Sequence, residues 1–384
     1  MKQNKTDRSG TMFHILLKAG LWGHLSERVD TIPALTADEW MKVIGLARKQ
    51  TVIGLIYDGI DYLPEEVRPD QSVMRKLFTI ILGNENLHKQ LNHSLAEIVS
   101  RLADAGIPSM LLKGQGNAQL YNKPLTRQCG DIDLFVGIKN YKKVCLLVKE
   151  WGMLTDGEES ESIKHFHFEW NKTVVEIHRI TAQFDNFIIN KRFREWSESE
   201  LANTTYGFIP SNEKVKVAVG SPEFNAIFIF YHLYYHFLTG GVGLRQFCDW
   251  TRCLHVNADV LRSSDIAKRI KGLHLLRPWQ VMGYIAVNYL GLPSSEFPCY
   301  DTRYEKTAHR VLSIIFDEGN FGQYKQPKEK RPKDYVLGKF YSFRHGSIRY
   351  FKMLTVFPVD ALVRFVFSFI EGIIHLFLDY RKSK

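Results

Sequence analysis

Hydrophobic residues recur every three or four positions through the first hundred residues, which predicts an N-terminal helical segment over residues 1–105. The clearest stripe ends just before Gly106, where we expect the helix to stop. Its members are Leu87, Leu91, Leu95, Ile98 and Leu102.

The pattern changes after Gly106 and predicts a mixed unit of strands and helices over residues 106–219. A short apolar run, 107–112, precedes a glycine-containing turn and a short helix. Residues 131–136 alternate as a half-buried strand would, and Asn140 is the expected N-cap of the next helix.

Residues 165–180, HFHFEWNKTVVEIHRI, alternate strictly on both sides of a central Asn-Lys pair, which predicts a β-hairpin. With that pair as the loop, His165 faces His178 and His167 faces Glu176. All four side chains then lie on one face, and the apolar side chains between them point into the core.

A helical domain is predicted over residues 220–384, because Ser221 and the proline after it are typical of a helix start. Inside it, residues 326–334 read as an exposed basic linker. Residues 359–380 are apolar almost all round except for one polar stripe. Our first interpretation is a deeply buried helix, and the alternative is an amphipathic anchor on a membrane or a partner.

Within the helical domain, two polar pairs stand four residues apart. Arg245 and Asp249 predict an intrahelical ion pair, with a role in closing a ligand cleft as the alternative. His232 and His236 are interpreted as hydrogen-bonding core residues, because no acid or cysteine stands where it would complete a zinc site.

Composition and charge narrow the class of protein. The chain has 384 residues, 45% of them hydrophobic, which indicates a globular protein of more than one unit. The five cysteines form no CxxC pair and read as reduced thiols, and the N-terminus shows no secretory signal, so we expect a cytoplasmic location.

The net charge of +10 is concentrated at the carboxyl end. Residues 321–384 contain thirteen Lys or Arg and five Asp or Glu, a balance of 13 − 5 = +8. This favours an anionic partner, with an anionic membrane surface or a membrane-bound synthase as candidates and a solvated basic surface as the alternative. The aromatic and basic residues that alternate over 339–352 would suit nucleic acid, which we regard as the less favoured partner.

Candidate chemistry is concentrated on the predicted strand 131–136. Asp131 and Asp133 lie two residues apart and therefore share a face, where two like charges are unfavourable unless a cation neutralises them. Hard oxygen ligands indicate Mg²⁺, with Mn²⁺ as the alternative, bound together with substrate phosphates. Glu176, on a later strand, is the natural third acid of such a metal site.

Five further residues are candidates for binding phosphate. Gly114 and Gly116 would let backbone N–H groups approach a phosphate closely at the start of the short helix. Lys113 and Arg127 would neutralise its charge. His178 shares a face with Glu176 and would position a phosphate or an acceptor hydroxyl.

The order of these features, LLKG…LY…R…GDIDLFV…VEIHR over residues 107–180, resembles the nucleotidyltransferase superfamily typified by DNA polymerase beta. It is most similar to a bacterial group labelled uncharacterised nucleotidyltransferases, which is often associated with polysaccharide gene clusters. The resemblance implies an α+β fold, in which a polymerase-beta-like mixed sheet is flanked by N-terminal and C-terminal helical segments.

The resemblance also implies an activity: metal-dependent transfer of a nucleoside monophosphate from an NTP to a hydroxyl acceptor, in polysaccharide biosynthesis. Asp131 and Asp133 would bind the metal, Glu176 would complete the site, and Gly114 would contact the triphosphate. The chain departs from the superfamily at Gln115, where a serine is usual, so Lys113 or Arg127 would replace the serine hydroxyl. The alternative is a non-catalytic, nucleotide-binding or scaffold protein of a membrane-associated synthesis complex.

Overall fold

The computed structural model describes residues 7–153, 164–320, 332 and 335–382. Within them, most residues are helical. The helices are α1 (Arg8–Trp22), α2 (Ala37–Lys49), α3 (Ile53–Ile60), α4 (Gln71–Asp104), α5 (Gln115–Ala118), α6 (Gly137–Glu150), α7 (Phe187–Asn203), α8 (Pro222–Thr239), α9 (Leu244–Val256), α10 (Ala258–Arg262), α11 (Ile266–Gly272), α12 (Leu276–Tyr284), α13 (Glu305–Glu318), α14 (Tyr335–Met353) and α15 (Pro358–Lys382). The predicted linker 326–334 lies outside the described residues, apart from position 332.

The strands are few and short. They are β1 (Met110–Leu111), β2 (Asp131–Phe135), β3 (His165–Trp170), β4 (Thr173–His178), β5 (Gly207–Phe208) and β6 (Val217–Ala218). β1 to β4 form one sheet in the order β1-β2-β4-β3, and β5 pairs with β6. β2 runs parallel to β4 and antiparallel to β1, so the sheet is mixed and the fold is α+β.

The β3–β4 hairpin has the predicted register. His165 lies opposite His178, and Trp170 lies opposite Thr173. Asn171 and Lys172 both have positive φ, 50° and 61°, as the two central residues of a type I′ turn require. The strict alternation therefore predicted the pairing correctly.

The predicted start of α6 was wrong. The helix begins at Gly137, three residues before Asn140, because Gly137 has φ = 76° and turns the chain out of β2 at once. Glu198 accepts a hydrogen bond from Ile138 N at 2.9 Å and so satisfies one free amide of the first turn. The Asn140 amide instead donates to the Val136 carbonyl.

The sheet separates two hydrophobic clusters. Ile132 and Leu134 belong to a cluster formed mainly with α4, α6 and the β3–β4 hairpin. Phe135 lies on the opposite face of the same strand. It belongs to a larger cluster, formed mainly by helices that precede the sheet in the sequence and helices that follow it. The face that carries Asp131 and Asp133 is therefore covered by helices, which is why it is secluded from solvent.

Residues 359–370 of α15 are mostly exposed or half-buried, so our first interpretation, a deeply buried helix, is wrong for this part of residues 359–380; the side chains of 371–380 lie outside the described ones. Seven large apolar side chains on it are exposed: Val359, Leu362, Val363, Val366, Phe367, Phe369 and Ile370. The two described members of the polar stripe, Arg364 and Ser368, are half-buried, and Arg364 pairs with Asp185 at 2.8 Å. No helix in the described part of the chain is long and apolar enough to cross a membrane.

Candidate active site

The three predicted acids lie on neighbouring strands. Because β2 and β4 pair in parallel, Asp133 stands beside Glu176, and Asp131 lies two residues back on the same face of β2. The parallel register depends on the crossover through α6 and the β3 strand, and it brings together residues more than forty positions apart in sequence.

Asp133 is the most buried of the three, with 1% of its surface exposed. Its Oδ1 accepts hydrogen bonds from Lys113 Nζ at 3.2 Å and His178 Nε2 at 2.9 Å. Burial alone would raise the pKa of Asp133, but the Lys113 ammonium and the His178 hydrogen bond outweigh it, so the pKa is lowered. Its Oδ2 is buried and has no hydrogen-bond partner among the described residues.

Asp131 is half-buried, and the pKa of its carboxyl is raised by burial and by the neighbouring Asp133 carboxylate. Lys113 works against both effects. The pKa of Lys113 itself is raised, because its attraction to Asp133 and Asp131 exceeds the cost of burial. Lys113 is therefore the cation that contacts the acid pair directly, and it offsets the repulsion between the two carboxylates only in part.

Two cavities meet at this acid pair. One, of about 360 Å³, is lined by Gly114, Arg245 and helix α8 residues. The other, of about 300 Å³, is lined by Glu176 and by side chains of α8 and the segment after β4. Lys113, Asp131 and His232 line both cavities. His232 forms a hydrogen bond, as the sequence predicted, with its Nε2 3.4 Å from Lys113 Nζ, but it is half-buried in the cavity wall and not part of the core.

The two candidate glycines face different surroundings. Gly114 has φ = 59° and lines the 360 Å³ cavity, and a Cβ there would lie 3.4 Å from the Asp131 carbonyl. Gly116 lines an adjoining cavity instead, where a Cβ would lie 3.3 Å from Val219 Cγ1. The absence of a side chain at Gly114 thus leaves room for a ligand beside the acids. At Gly116 it allows the backbone to pack closely against a neighbouring side chain.

The predicted ion pair within α9 was wrong. Asp249 pairs with Arg127, which donates to it through Nε at 2.8 Å and Nη2 at 2.6 Å. Burial would raise the pKa of Asp249, but the Arg127 guanidinium lowers it. Arg127 therefore lines the cavity, but its guanidinium group is already bound to a carboxylate.

Arg245 does not form the predicted ion pair and lies instead in the wall of the 360 Å³ cavity, where the alternative role in closing a ligand cleft stays a prediction. Its Nη1 donates to the Gln128 carbonyl at 2.8 Å, and its Nε is buried without a hydrogen-bond partner among the described residues. Burial and the nearby Arg127 lower the pKa of Arg245. A buried cation with an unmet donor beside Asp131 is suited to binding an anion. Its position four residues before Asp249 concealed this role, because the true partner of Asp249 is distant in sequence.

Two histidines complete the acid face of the sheet. His178 donates to Asp133 and lies 3.3 Å from Glu176 Oε2, and these contacts raise its pKa against the effect of burial. The His178 hydrogen bond lowers the pKa of Glu176. His165 Nε2 lies 3.8 Å from the same Glu176 oxygen, whereas His167 is exposed at the sheet edge.

A family profile described as "Uncharacterised nucleotidyltransferase" matches residues 36–291. The chain belongs to this family. The match covers the acid site together with α8 and α9, so the nucleotidyltransferase family includes the helices that cover the sheet as well as the strands.

Other similarities are weak. The chain is similar to a solved structure, that of an antigenic nucleotidyltransferase-like protein from Paracoccidioides brasiliensis, with 14% sequence identity and a TM-score of 0.32. That similarity covers 53% of this chain and 93% of the other and is too low to support an argument about fold or function. No curated protein matches the chain.

Proposed function

We propose that this protein moves a nucleoside monophosphate from an NTP to a hydroxyl acceptor with a divalent metal, Mg²⁺ or Mn²⁺, at the acid pair. The proposal rests on one observation. Asp131, Asp133 and Glu176 lie close together on neighbouring strands, beside a glycine turn and two cations. Family membership supports the general class of reaction.

The donor set fits such a metal. Asp133 Oδ2 is buried and without a partner among the described residues, and burial and Asp133 together raise the pKa of Asp131. A cation at this point would satisfy the oxygen and relieve the repulsion, and carboxylate oxygens are the ligands that Mg²⁺ and Mn²⁺ prefer. A bound divalent ion would neutralise the triphosphate and favour attack at its α-phosphorus.

The remaining steps belong to the chain's own residues. Gly114 lets the triphosphate approach the backbone, and Lys113 and Arg245 bind its oxygens. Glu176 accepts the proton of the acceptor hydroxyl. The acceptor oxygen forms a bond to the α-phosphorus, the bond from that phosphorus to the β-bridging oxygen breaks, and pyrophosphate leaves.

We place the NTP in the 360 Å³ cavity and the acceptor in the 300 Å³ cavity, because Gly114 and Arg245 line the first and Glu176 lines the second. Tyr231 and Tyr235 also line the second cavity and would pack against a ring of the acceptor. A glycan hydroxyl, in polysaccharide biosynthesis, is the acceptor that the sequence resemblance favours.

The test begins with nucleotide binding. Thermal unfolding of the purified protein is measured with each Mg-NTP, for the wild type and for the Asp131→Asn, Asp133→Asn double variant. Saturation a hundredfold above Kd stabilises a folded protein by about 2.7 kcal/mol, so at least one NTP should raise the Tm of the wild type and none that of the double variant. The exposed Asp259→Asn is the matched control and should respond like the wild type.

Transfer is then followed by pyrophosphate release with the NTP that binds. We expect Asp131→Asn to lower the rate by about 10²-fold or more, since a site that neutralises developing charge supplies that much. Unchanged transfer in Asp131→Asn would show that the acid pair is not the reaction centre.

A further inference from the structure

The acid face of the hairpin contains a second set of ligand-type side chains. Among the described residues, one group of three such side chains brings its ligand atoms within 4.8 Å of one another: His165, Glu176 and His178. The set is not the predicted trio of carboxylates, since two of its three members are imidazoles.

The spacing of this set matches that of ligands around one small cation. Glu176 Oε2 lies 3.3 Å from His178 Nε2 and 3.8 Å from His165 Nε2. Metal–nitrogen and metal–oxygen bonds of 2.0–2.2 Å place neighbouring ligand atoms roughly 3.0–3.5 Å apart. One separation already falls in that range, and the other needs a shift of a few tenths of an ångström.

The backbone explains why these ligands converge. His165 and His178 are directly opposed in the antiparallel hairpin, and Glu176 precedes His178 by two residues on the same face. His165 Nδ1 is buried and has no hydrogen-bond partner among the described residues, so it can carry the ring proton and leave Nε2, the nitrogen near Glu176, to bind a metal. His178 Nε2 donates to Asp133 Oδ1 at 2.9 Å in the metal-free protein, so a metal bound at this nitrogen would displace that proton and have Asp133 Oδ1 as an adjoining oxygen.

We propose that His165, Glu176 and His178 bind a divalent first-row transition metal, of the Mn²⁺ to Zn²⁺ group. Imidazole nitrogens suit these ions, whereas Mg²⁺ prefers oxygen, and two histidines with one carboxylate leave coordination positions open. The site shares Glu176 with the proposed function, but metal binding there does not depend on nucleotidyl transfer.

The experiment measures binding of metal alone to the full-length protein. The metal-free protein is titrated with Co²⁺, whose visible spectrum reports nitrogen ligation, and with Mn²⁺, Zn²⁺ and Mg²⁺ by calorimetry, without nucleotide. We expect Zn²⁺ and Co²⁺ to bind more tightly than Mg²⁺. His165→Gln and His178→Gln should each weaken binding about tenfold or more, because even the loss of an outer-shell partner costs that much.

His167→Gln is the matched control, because His167 lies on the same face of β3 but is exposed and outside the set. It should bind Co²⁺ like the wild type, and circular dichroism checks that each variant is folded. Equal Co²⁺ affinity in the wild type and in folded His165→Gln, or a loss confined to His167→Gln, would overturn the proposal. If the protein binds metal here but does not transfer a nucleoside monophosphate, the metal site is supported and the proposed function is refuted.

A separate observation concerns the carboxyl-terminal helix pair. Three cations of α14 and α15 are paired with acids in the rest of the protein: Arg349 and Lys352 both contact Glu318, at 2.6 Å and 2.9 Å, and Arg364 contacts Asp185. The exposed side of α14 carries Arg344 but is otherwise largely apolar, with five exposed large side chains in addition to those on α15. They are Leu337, Phe340, Phe343, Ile348 and Phe351.

We infer that this outward apolar face, here called the α14–α15 face, docks on an anionic lipid bilayer. Helices whose apolar side faces away from the protein are suited to lie in a membrane interface. The segment 321–384 has a charge balance of 13 − 5 = +8, which attracts anionic headgroups and opposes the pairing of two copies of this chain.

Sedimentation with vesicles tests this inference. Vesicles that contain an anionic phospholipid should bind the wild type, and purely zwitterionic vesicles should bind much less. A Leu362→Asp, Phe369→Asp variant should lose most of the binding, whereas Phe187→Asp, at a 79% exposed apolar residue on α7, should retain it. Concentration-dependent dimers in size exclusion that the double variant abolishes, with no vesicle binding, would mean that a second copy covers the face.

Discussion

Burial shifts the pKa values of many side chains in this protein, and His88 is the simplest example. His88 is 1% exposed on α4, and burial, together with the charge of Arg127, lowers its pKa to about 4. The unfolded chain binds the proton near pH 6.5, so the unfolded state holds more protons between pH 6.5 and 4. The contribution of His88 to stability is therefore complete above pH 6.5 and is lost as the pH falls toward 4.

We predict that the free energy of unfolding of the wild type falls by roughly 2 kcal/mol more than that of His88→Gln between pH 7.5 and pH 5. Urea unfolding of both proteins at the two pH values gives the measurement. The difference between the proteins isolates this residue from other groups that titrate over the same range. An equal fall in the two proteins would mean that His88 takes up its proton without unfolding.

Among the secondary-structure elements, the β3–β4 hairpin has the most easily tested turn. Lys172 is exposed and has φ = 61°, a conformation that costs an L-residue other than glycine about 1 kcal/mol. We predict that Lys172→Gly raises the free energy of unfolding by up to about 1 kcal/mol and that Lys172→Val lowers it. Urea denaturation at one pH measures both, and destabilisation by glycine would contradict the turn conformation.

The sequence predicts this hairpin well because a period of two and a two-residue turn leave only one register. It predicts other elements less well. Asn140 is a good cap by residue type, but Gly137 starts the helix earlier. The polar stripe of residues 359–380 is visible in the sequence, but the burial of Arg364, one of its members, depends on Asp185, far away in the chain.

The same reasoning applies to the candidate site. Asp131, Asp133 and Glu176 could be proposed from local pattern and family resemblance, because each lies on a strand with clear alternation. The pairing of Arg127 with Asp249 could not, because the partner of Asp249 is set by the packing of α9 against the loop before β2. Pairs of this kind depend on tertiary structure alone.

Across the whole molecule, the mixed sheet and the helices α8 and α9 are joined by buried polar contacts as well as by the larger hydrophobic cluster. Arg127 and Asp249 form the main ion pair across this boundary, with side chains 7% and 4% exposed. Tyr121 also donates to Asp249, at 2.7 Å. Removing one member of such a pair leaves the other charge buried without its partner.

We predict that Asp249→Ala lowers the free energy of unfolding by about 3–5 kcal/mol, because the Arg127 guanidinium stays buried. An Arg127→Met, Asp249→Leu double variant should lose less than the single variant, since apolar residues of similar size often replace a buried ion pair with little loss. Urea unfolding measures both, with the surface variant Asp259→Asn as the control that should stay close to the wild type. A double variant less stable than Asp249→Ala would mean that the boundary needs the polar contacts themselves, with Tyr121 and Arg245 as the residues that depend on them.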